Sequence, residues 1–279
     1  MTSVTAHTRL VGVVGHPVRH SLSPVIHNAW IEAAGLDAVY LALAPAREGF
    51  RALVEGLRGG VALGLNVTLP FKEEALALAD QASDGARQAG AANLLLFGAD
   101  GKIEARNTDG LGLLIALRGA GFEPQAGPVV VLGAGGAARG VVISLLEAGV
   151  PAVAIVNRTA ERACAIAALD PRISAHAWAE AGALMKDAAA VVNATSLGMA
   201  GHPPLELDIA AAPKSAVVMD MVYRPLETDL LAQARRRGAR AADGLAMLIG
   251  QAAPSFEAMF GRPPPDIDVR RLCEAALAG

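Results

Sequence analysis

Apolar residues in this chain cluster in short runs, each closed by glycine, proline or a small polar residue and followed by a stretch of helical periodicity. In the first third the runs are Leu10 to Val14, Val39 to Leu43 and Val61 to Leu69. Helices are expected at Val25 to Ala34, at Glu48 to Leu57 and from Pro70 onward. Asn93 leads a further strand, and a helix is expected at about Leu111 to Leu117. From Pro128 the alternation becomes regular, with strands at Val129 to Leu132, Ala152 to Val156, Ala188 to Ala194 and Val217 to Val222 and a helix opening at Pro225. Runs that are apolar at every position predict parallel strands covered on both faces. An apolar helix starts at Asp243, and the turn Arg262 to Pro265 leads to a short C-terminal helix. The fold class expected from this order is α/β.

The turn after Leu132 reads Gly133-Ala134-Gly135-Gly136-Ala137-Ala138. Gly133, Gly135 and Ala138 fit the pattern G-x-G-x-x-G/A of a dinucleotide-binding turn. Gly133 permits the tight turn, Gly135 lets the backbone approach a pyrophosphate, and Ala138 lets helix and strand pack closely. The helix from Ala137 to Glu147 would aim its first N–H groups and its positive dipole end at that anion. After the next strand, where an NAD-binding chain usually places Asp or Glu, this one has Asn157-Arg158-Thr159-Ala160-Glu161-Arg162. Arg158 and Arg162 are either solvated helix arginines or partners of a ribose 2′-phosphate, each charge-assisted contact contributing roughly 1.5–3 kcal/mol. The expected cofactor is NADP.

Composition narrows the partners. Hydrophobic residues make up 53% and charged residues 18%, which excludes disorder. A net charge of −3 gives no reason to invoke nucleic acid or an anionic membrane. Gly127 to Val156 is apolar enough to imitate a membrane span, but its glycines, Arg139 and Glu147 fit strand, turn, helix and strand better. Met1 to Gly12 lacks the apolar core of a signal peptide, and Cys164 and Cys273 form no C-x-x-C. Reduced thiols and a cytoplasmic location are expected. His16, His20 and His27 have no neighbouring carboxylate or cysteine to complete a metal site, and none is expected.

Several polar residues interrupt this pattern. Ser23-Pro24 reads as a helix N-cap followed by Pro at N1, which leaves Ser21 without a structural role; both serines would suit a polyhydroxylated ligand. Thr68 reads as a helix cap ahead of Pro70-Phe71-Lys72-Glu73-Glu74. Lys72 stands at the electropositive end of that helix, either solvated or facing an anion. Asp109 is an N-cap or Asx-turn residue, or else the partner of Lys72 in a proton-transfer pair. Tyr223 closes a strand at the edge where open α/β sheets keep ligands. The cluster Arg235, Arg236, Arg237 and Arg240 is explained by the dipole at a helix C-terminus. Gln251 on an apolar helical face needs a polar partner, which a ligand would supply.

Taken together, Ser21-Leu-Ser-Pro24, Asn66-Val-Thr-Leu-Pro-Phe-Lys72, Gly90-Ala-Ala-Asn93, Asn107-Thr-Asp-Gly110, Gly133 to Ala137, Asn157-Arg-Thr159, Asn193-Ala-Thr-Ser196 and Asp243 to Gln251 resemble the shikimate dehydrogenase family in one order over nearly the whole chain. The resemblance implies a Rossmann-type NADP domain (residues 109–243) inserted into a discontinuous α/β substrate-binding domain (1–108), to which the C-terminal helices (244–279) return. It implies that Ser21, Ser23, Thr68, Asn93, Asp109, Tyr223 and Gln251 bind the substrate and that Lys72, paired with Asp109, is the acid/base. Gly133, Ala134, Gly135, Gly136 and Ala137 would cradle the cofactor, Asn157, Arg158, Thr159 and Arg162 its adenosine phosphate. Met221, Gly244 and Met247 would lie near the nicotinamide, and Asp84 matches an acid often found near the cofactor. Leu94 replaces a common Thr and Ala246 a common Gly. The implied activity is reversible NADPH-dependent reduction of 3-dehydroshikimate to shikimate in chorismate and aromatic amino-acid biosynthesis. The implied enzyme is a monomer or homodimer with a small-molecule substrate and neither nucleic-acid nor membrane partners. Quinate or dual-specificity dehydrogenation, a binding protein that has lost catalysis, and a folate-type dehydrogenase are the alternatives. Retention of Lys72 and Asp109 argues against the second, and the paired serines with Gln251 fit a small polyol better than the third.

Overall fold

The computed structural model describes residues 4–278 and separates into two units, one formed by the described residues of 1–108 and 251–279, the other by Asp109–Gly250. The first unit begins with β1 (Arg9–Val14), α1 (Ser23–Ala33), β2 (Ala38–Leu43), α2 (Phe50–Gly56), β3 (Ala62–Val67) and α3 (Lys72–Leu78). It continues with β4 (Gln81–Ala82), α4 (Asp84–Ala89), β5 (Leu94–Phe97) and β6 (Ile103–Arg106). Its sheet runs β2-β1-β3-β5-β6-β4, with β1 parallel to β2 and β3, and β5 antiparallel to β3 and β6. Val14, Leu65, Val67, Leu95 and Ile103 bury one part of its core with Phe50 and Phe71, whose rings stack at 4.5 Å.

The second unit contains α5 (Asp109–Gly119), β7 (Val129–Leu132), α6 (Gly136–Glu147), β8 (Val153–Asn157), α7 (Ala160–Ala167) and β9 (Ile173–Ala177). It is completed by α8 (Ala181–Leu184), β10 (Ala190–Asn193), β11 (Val217–Asp220), α9 (Asp229–Arg236) and β12 (Arg240–Ala242). Every strand pair is parallel, in the order β12-β11-β10-β7-β8-β9, the doubly wound arrangement of dinucleotide-binding sheets. All residues of β7, β10 and β11 are buried, because helices cover both faces and unbroken apolar runs are what such a layer requires. Gly110 allows α5 to lie against α6: a Cβ there would collide with the Ser144 side chain.

The return to the first unit is made within α10 (Gly244–Phe260), after Gly250, rather than at residue 244. The first turns of α10 belong to the nucleotide-type unit because Met247 packs into its core with Leu113, Leu117 and Val131. The second half of α10 brings Phe256 into the first unit, where α11 (Val269–Ala278) packs on α1. No helix among the described residues is long and apolar enough to cross a membrane.

Local expectations differ from the structure at several ends. α1 starts at Ser23 itself with Leu22 as N-cap, and the Ser21 Oγ accepts from the Ser23 N–H at 3.2 Å. Ser23 is therefore inside the helix, not its cap. α3 is capped by Phe71 without a side-chain bond, and Thr68 contributes its carbonyl to the Phe71 N–H instead of its hydroxyl. No helix opens at Pro225: α9 starts at Asp229, where the Thr228 hydroxyl accepts from the Leu231 N–H at 3.4 Å. Side-chain capping outweighs the proline signal there. Arg240 lies in β12 beyond the α9 terminus, and its guanidinium donates to the Gly121 and Ser215 carbonyls.

His27 on α1 is fully buried, stacked on Tyr40 at 4.2 Å and edge-on to Trp30 at 5.5 Å, with no hydrogen-bond partner for either ring nitrogen. Burial lowers its pKa from 6.5 to about 3. Between those values the unfolded chain binds the extra proton, so stability is fully present above pH 6.5 and is lost as pH falls toward 3. At about two pH units below the unfolded value the loss from this one group is roughly 2–3 kcal/mol. Denaturant titrations of the wild type and His27→Phe at neutral and mildly acid pH should show that loss in the wild type and much less in the variant; equal acid sensitivity would contradict it.

Candidate functional site

In the first unit the polar candidates converge on the C-terminal ends of β1 and β3. The Thr68 N–H donates to the Val14 carbonyl at 2.9 Å, and the His16 N–H to the Leu69 carbonyl at 3.0 Å. A Cβ at Gly15 would collide with the Thr68 methyl, so glycine is what lets the two loops approach. Lys72, half-buried at the first position of α3, is tethered through its carbonyl to the Ala92 N–H at 2.9 Å, one residue before Asn93.

Behind these loops lies a buried network of amides and hydroxyls. The Asn93 amide nitrogen donates to Thr108 Oγ1 at 2.9 Å and to Gln251 Oε1 at 3.3 Å, while Asn93 Oδ1 accepts from the Thr108 N–H at 2.8 Å. Asn66 donates to Ser255 Oγ at 2.9 Å and accepts from the Tyr40 hydroxyl at 2.9 Å. Burial pushes the Tyr40 phenol above its ordinary range, and a hydrogen bond from Ser23 pulls the other way. Asn93 and Gln251 were expected here. Asn66, Thr108, Ser255 and Tyr40 were not assigned roles, although Ser255 stands four residues after Gln251, the spacing of one helical face. Asp84 is an exposed residue of α4, paired with Arg87 at 2.6 Å.

In the second unit the strand order reverses between β7 and β10, and the loops after these strands flank the crevice that such a reversal opens. Gly133 has φ +102°, and a Cβ there would come within 2.8 Å of the Thr195 methyl. Gly135 is the N-cap of α6 and Gly136 its first residue; both are exposed, and a Cβ at either would meet nothing within 4 Å. The first-turn N–H groups of α6, lacking intrahelical acceptors, thus open toward an uncrowded backbone surface that suits a pyrophosphate. Ala134 and Ala137 are half-buried beside them.

Arg158 precedes α7 and Arg162 lies in its first turn, both exposed and neither ion-paired among the described residues. Glu161 shares this first turn, so two cations and one carboxylate stand at the positive end of the helix dipole, and the excess positive charge there favours a further anion. Asn157 holds the turn by donating to the Thr159 carbonyl at 2.9 Å. The residues present therefore fit a phosphorylated dinucleotide, whose pyrophosphate α6 would hold and whose 2′-phosphate the Arg158 region would hold.

The ends of β10 and β11 are held by a second polar network that was not expected. Asp220 is fully buried, and its carboxylate accepts from Asn193 at 3.0 Å, the Val222 N–H at 3.0 Å and the Thr228 hydroxyl at 2.7 Å. Desolvation raises its pKa, while those three donors oppose the rise. Asn193 Oδ1 in turn accepts from the Thr195 hydroxyl at 2.7 Å, fixing the loop that faces Gly133. Half-buried Met221 and Tyr223 flank Val222 just after Asp220. Gly244 has a packing reason of its own, since a Cβ there would collide with the Met221 carbonyl. Asp109 is the half-buried first residue of α5 and of this unit.

Known proteins match this arrangement along its length. Three family models match: a shikimate dehydrogenase substrate binding domain over residues 13–95, shikimate/quinate 5-dehydrogenase over 120–203, and a shikimate 5′-dehydrogenase C-terminal domain over 244–272. The shikimate dehydrogenase (NADP(+)) of Caulobacter vibrioides is 54% identical over 274 residues, covering 97% of this chain and 96% of that one. The crystal structure of shikimate 5-dehydrogenase from Thermus thermophilus in complex with NADP(H) and shikimate superposes with a TM-score of 0.87 at 35% identity, covering 96% of this chain and 99% of that one. Quinate dehydrogenase from Corynebacterium glutamicum in complex with NAD gives 0.88 at 30% identity, over 98% and 99%.

Replacing Asp220 with alanine leaves three donors without their acceptor in a dry interior. Asp220→Ala is expected to lose about 3 kcal/mol or more of stability, read as a lowered urea midpoint at unchanged slope. An unchanged midpoint would show that the carboxylate does not hold these loops.

Proposed function

The chain belongs to the shikimate dehydrogenase family, and from that membership and the geometry of the two half-sites we propose that it catalyses the reversible reduction of 3-dehydroshikimate to shikimate with NADPH, in the biosynthesis of chorismate and the aromatic amino acids. The observation that carries the reading is the setting of Lys72: a half-buried residue at the start of α3, tied by its backbone to Ala92, the residue before Asn93, whose amide belongs to the buried network. A ring with several hydroxyls and a carboxylate calls for such a wall of fixed donors and acceptors, with one cation where charge develops.

NADPH, when bound, supplies a hydride to the ketone carbon. Lys72 stabilises the negative charge that develops on the ketone oxygen and delivers a proton to it; in the oxidative direction its amine accepts that proton. Asp109 orients Lys72 and meets a ring hydroxyl. Ser21, Ser23, Thr68, Asn93, Tyr223 and Gln251 bind the remaining hydroxyls and the carboxylate. Gly133, Ala134, Gly135, Gly136 and Ala137 hold the pyrophosphate, and Asn157, Arg158, Thr159 and Arg162 the adenosine phosphate. Met221, Gly244 and Met247 line the nicotinamide end. Asp84, engaged by Arg87 on α4, is the weakest member of this set. Two free cysteines accord with a reducing cytoplasm. The oligomeric form in this reading is a monomer or homodimer.

The deciding assay follows the near-ultraviolet absorbance of reduced nicotinamide with purified protein, crossing shikimate and quinate with NADP⁺ and NAD⁺. Turnover is expected with shikimate and NADP⁺; preference for quinate or NAD⁺ would replace the substrate or cofactor assignment, and silence in every combination would refute enzymatic activity. Lys72→Ala should lower kcat by roughly 10²–10⁴-fold with a smaller change in shikimate affinity. Replacing both Arg158 and Arg162 with alanine should lower the NADP⁺ over NAD⁺ preference by roughly 10²-fold or more, seen as a ratio of kcat/KM values. An unaltered ratio would remove the arginines from cofactor choice.

A further inference from the structure

The buried network of the first unit has a junction at Ser255, which lies on α10 one helical turn beyond Gln251 and has no solvent exposure. Its hydroxyl donates to the Gln251 carbonyl at 3.0 Å, the back-bond usual for serine inside a helix. That commits its one hydrogen. Its oxygen then accepts from the Asn66 amide at 2.9 Å and faces Thr108 Oγ1 at 3.3 Å.

The hydrogen count decides how the neighbouring amides stand. Asn66 spends its nitrogen on Ser255 and on the Asn93 carbonyl, at 2.9 and 3.3 Å, and its oxygen receives the Tyr40 hydroxyl at 2.9 Å. A flipped Asn66 would set its oxygen against the Asn93 carbonyl and against a serine with no hydrogen left to give, and its nitrogen against the Tyr40 proton. Thr108 carries the constraint onward. With the Ser255 hydrogen committed, the Thr108 hydroxyl is the donor across their 3.3 Å contact, so its oxygen accepts from the Asn93 amide at 2.9 Å while its N–H donates to Asn93 Oδ1 at 2.8 Å, and the second Asn93 N–H reaches Gln251 Oε1 at 3.3 Å. Tyr40 is itself held flat, its ring stacked on His27 with an interplanar angle of 5°.

We propose that Ser255 is a positioning residue for substrate: its hydroxyl holds the amides of Asn66 and, through Thr108, of Asn93 and Gln251 in a single orientation, so that a polyol meets a preset pattern of donors and acceptors. This rests on the substrate reading given above. Ser255 touches no reacting atom. It acts on binding of the polyol and leaves the cofactor half-site and the proton transfer by Lys72 unaltered. Tyr40 supports the same arrangement from the opposite end of the Asn66 amide.

The test is steady-state kinetics of the full-length wild type, Ser255→Ala, Tyr40→Phe and the double variant, with shikimate and NADP⁺ each varied, alongside thermal melts that set the assay temperature well below every midpoint. Ser255→Ala is expected to raise KM for shikimate roughly tenfold, the scale of one buried hydrogen-bond group left unmatched, with kcat and the KM for NADP⁺ within about twofold. Tyr40→Phe should act in the same direction. The double variant should show less than the product of the two effects, because both pass through Asn66. An unchanged shikimate KM in folded Ser255→Ala would overturn the proposal, as would an equal rise in both KM values, the mark of general loosening. If Ser255→Ala does not fold, Tyr40→Phe decides on the same split between shikimate and NADP⁺. A wild type inactive with shikimate refutes the substrate reading itself; an active wild type with an indifferent Ser255→Ala refutes this inference alone.

Discussion

The constraint on which the first unit depends is the burial of hydrogen-bonding side chains in its interior. Asn66, Asn93, Thr108, Gln251 and Ser255 are all buried. Each unmatched amide or hydroxyl in such a place costs about 1–3 kcal/mol, so every contributor adds to the stability of the network. The contributors come from β3, from the segments flanking β5 and β6, and from the second half of α10. That requirement accounts for the split of the unit in sequence: the chain must return after residue 250 to supply Gln251 and Ser255.

The second unit meets the same constraint with a carboxylate. Asp220 sits at the end of an entirely buried strand, where its charge is tolerable only because Asn193, Val222 and Thr228 donate to it. Through Asn193 the carboxylate fixes Thr195, and Thr195 lies so close to Gly133 that no side chain fits between them. The glycine turn is thus shaped from two directions, by its own backbone freedom and by a neighbouring loop locked in place. The Thr68 loop of the first unit and the Gly133 and Thr195 loops of the second all follow the C-terminal ends of parallel strands.

Charge placement completes the division of labour. Lys72, Arg158 and Arg162 stand at helix beginnings, the ends that favour anions and disfavour cations. By contrast, Arg235 and Arg236 occupy the last turn of α9, and Arg235 is paired with Glu227, where the dipole and a carboxylate explain the charge. Cations on the wrong end of a helix, held by tethered backbone, are the electrostatic mark of a site for a carboxylate, a phosphate or a developing oxyanion. The same residue type at the other end of a helix is ordinary surface.

Much of this was readable in the chain itself. Unbroken runs such as Val129–Leu132 could only be strands covered on both faces, and a G-x-G-x-x-A turn behind one of them specified a dinucleotide-type crevice through local sterics alone. Lys72, Asp109 and Gln251 were singled out from the residues themselves, each beside a structural alternative, whereas Asn93 was placed at the site only by the family resemblance. Short, polar β4, β9 and β12 carried no such pattern and exist because neighbouring strands offer a free edge. Ser23 and Thr68 were misjudged as helix caps and Pro225 as a helix start, since capping signals are local and weak against what packs around them. Tertiary structure alone decided which hydroxyls and amides meet. Asn66 and Ser255 are separated by 189 positions, Thr108 and Gln251 by 143, and a pairing across such distances leaves no periodicity in the sequence. Sequence by itself determined the long apolar strands, most of the helices between them and where the charges stand. The joining of distant polar groups into one buried network was settled by folding, because only in a dry interior does each of those groups need the other.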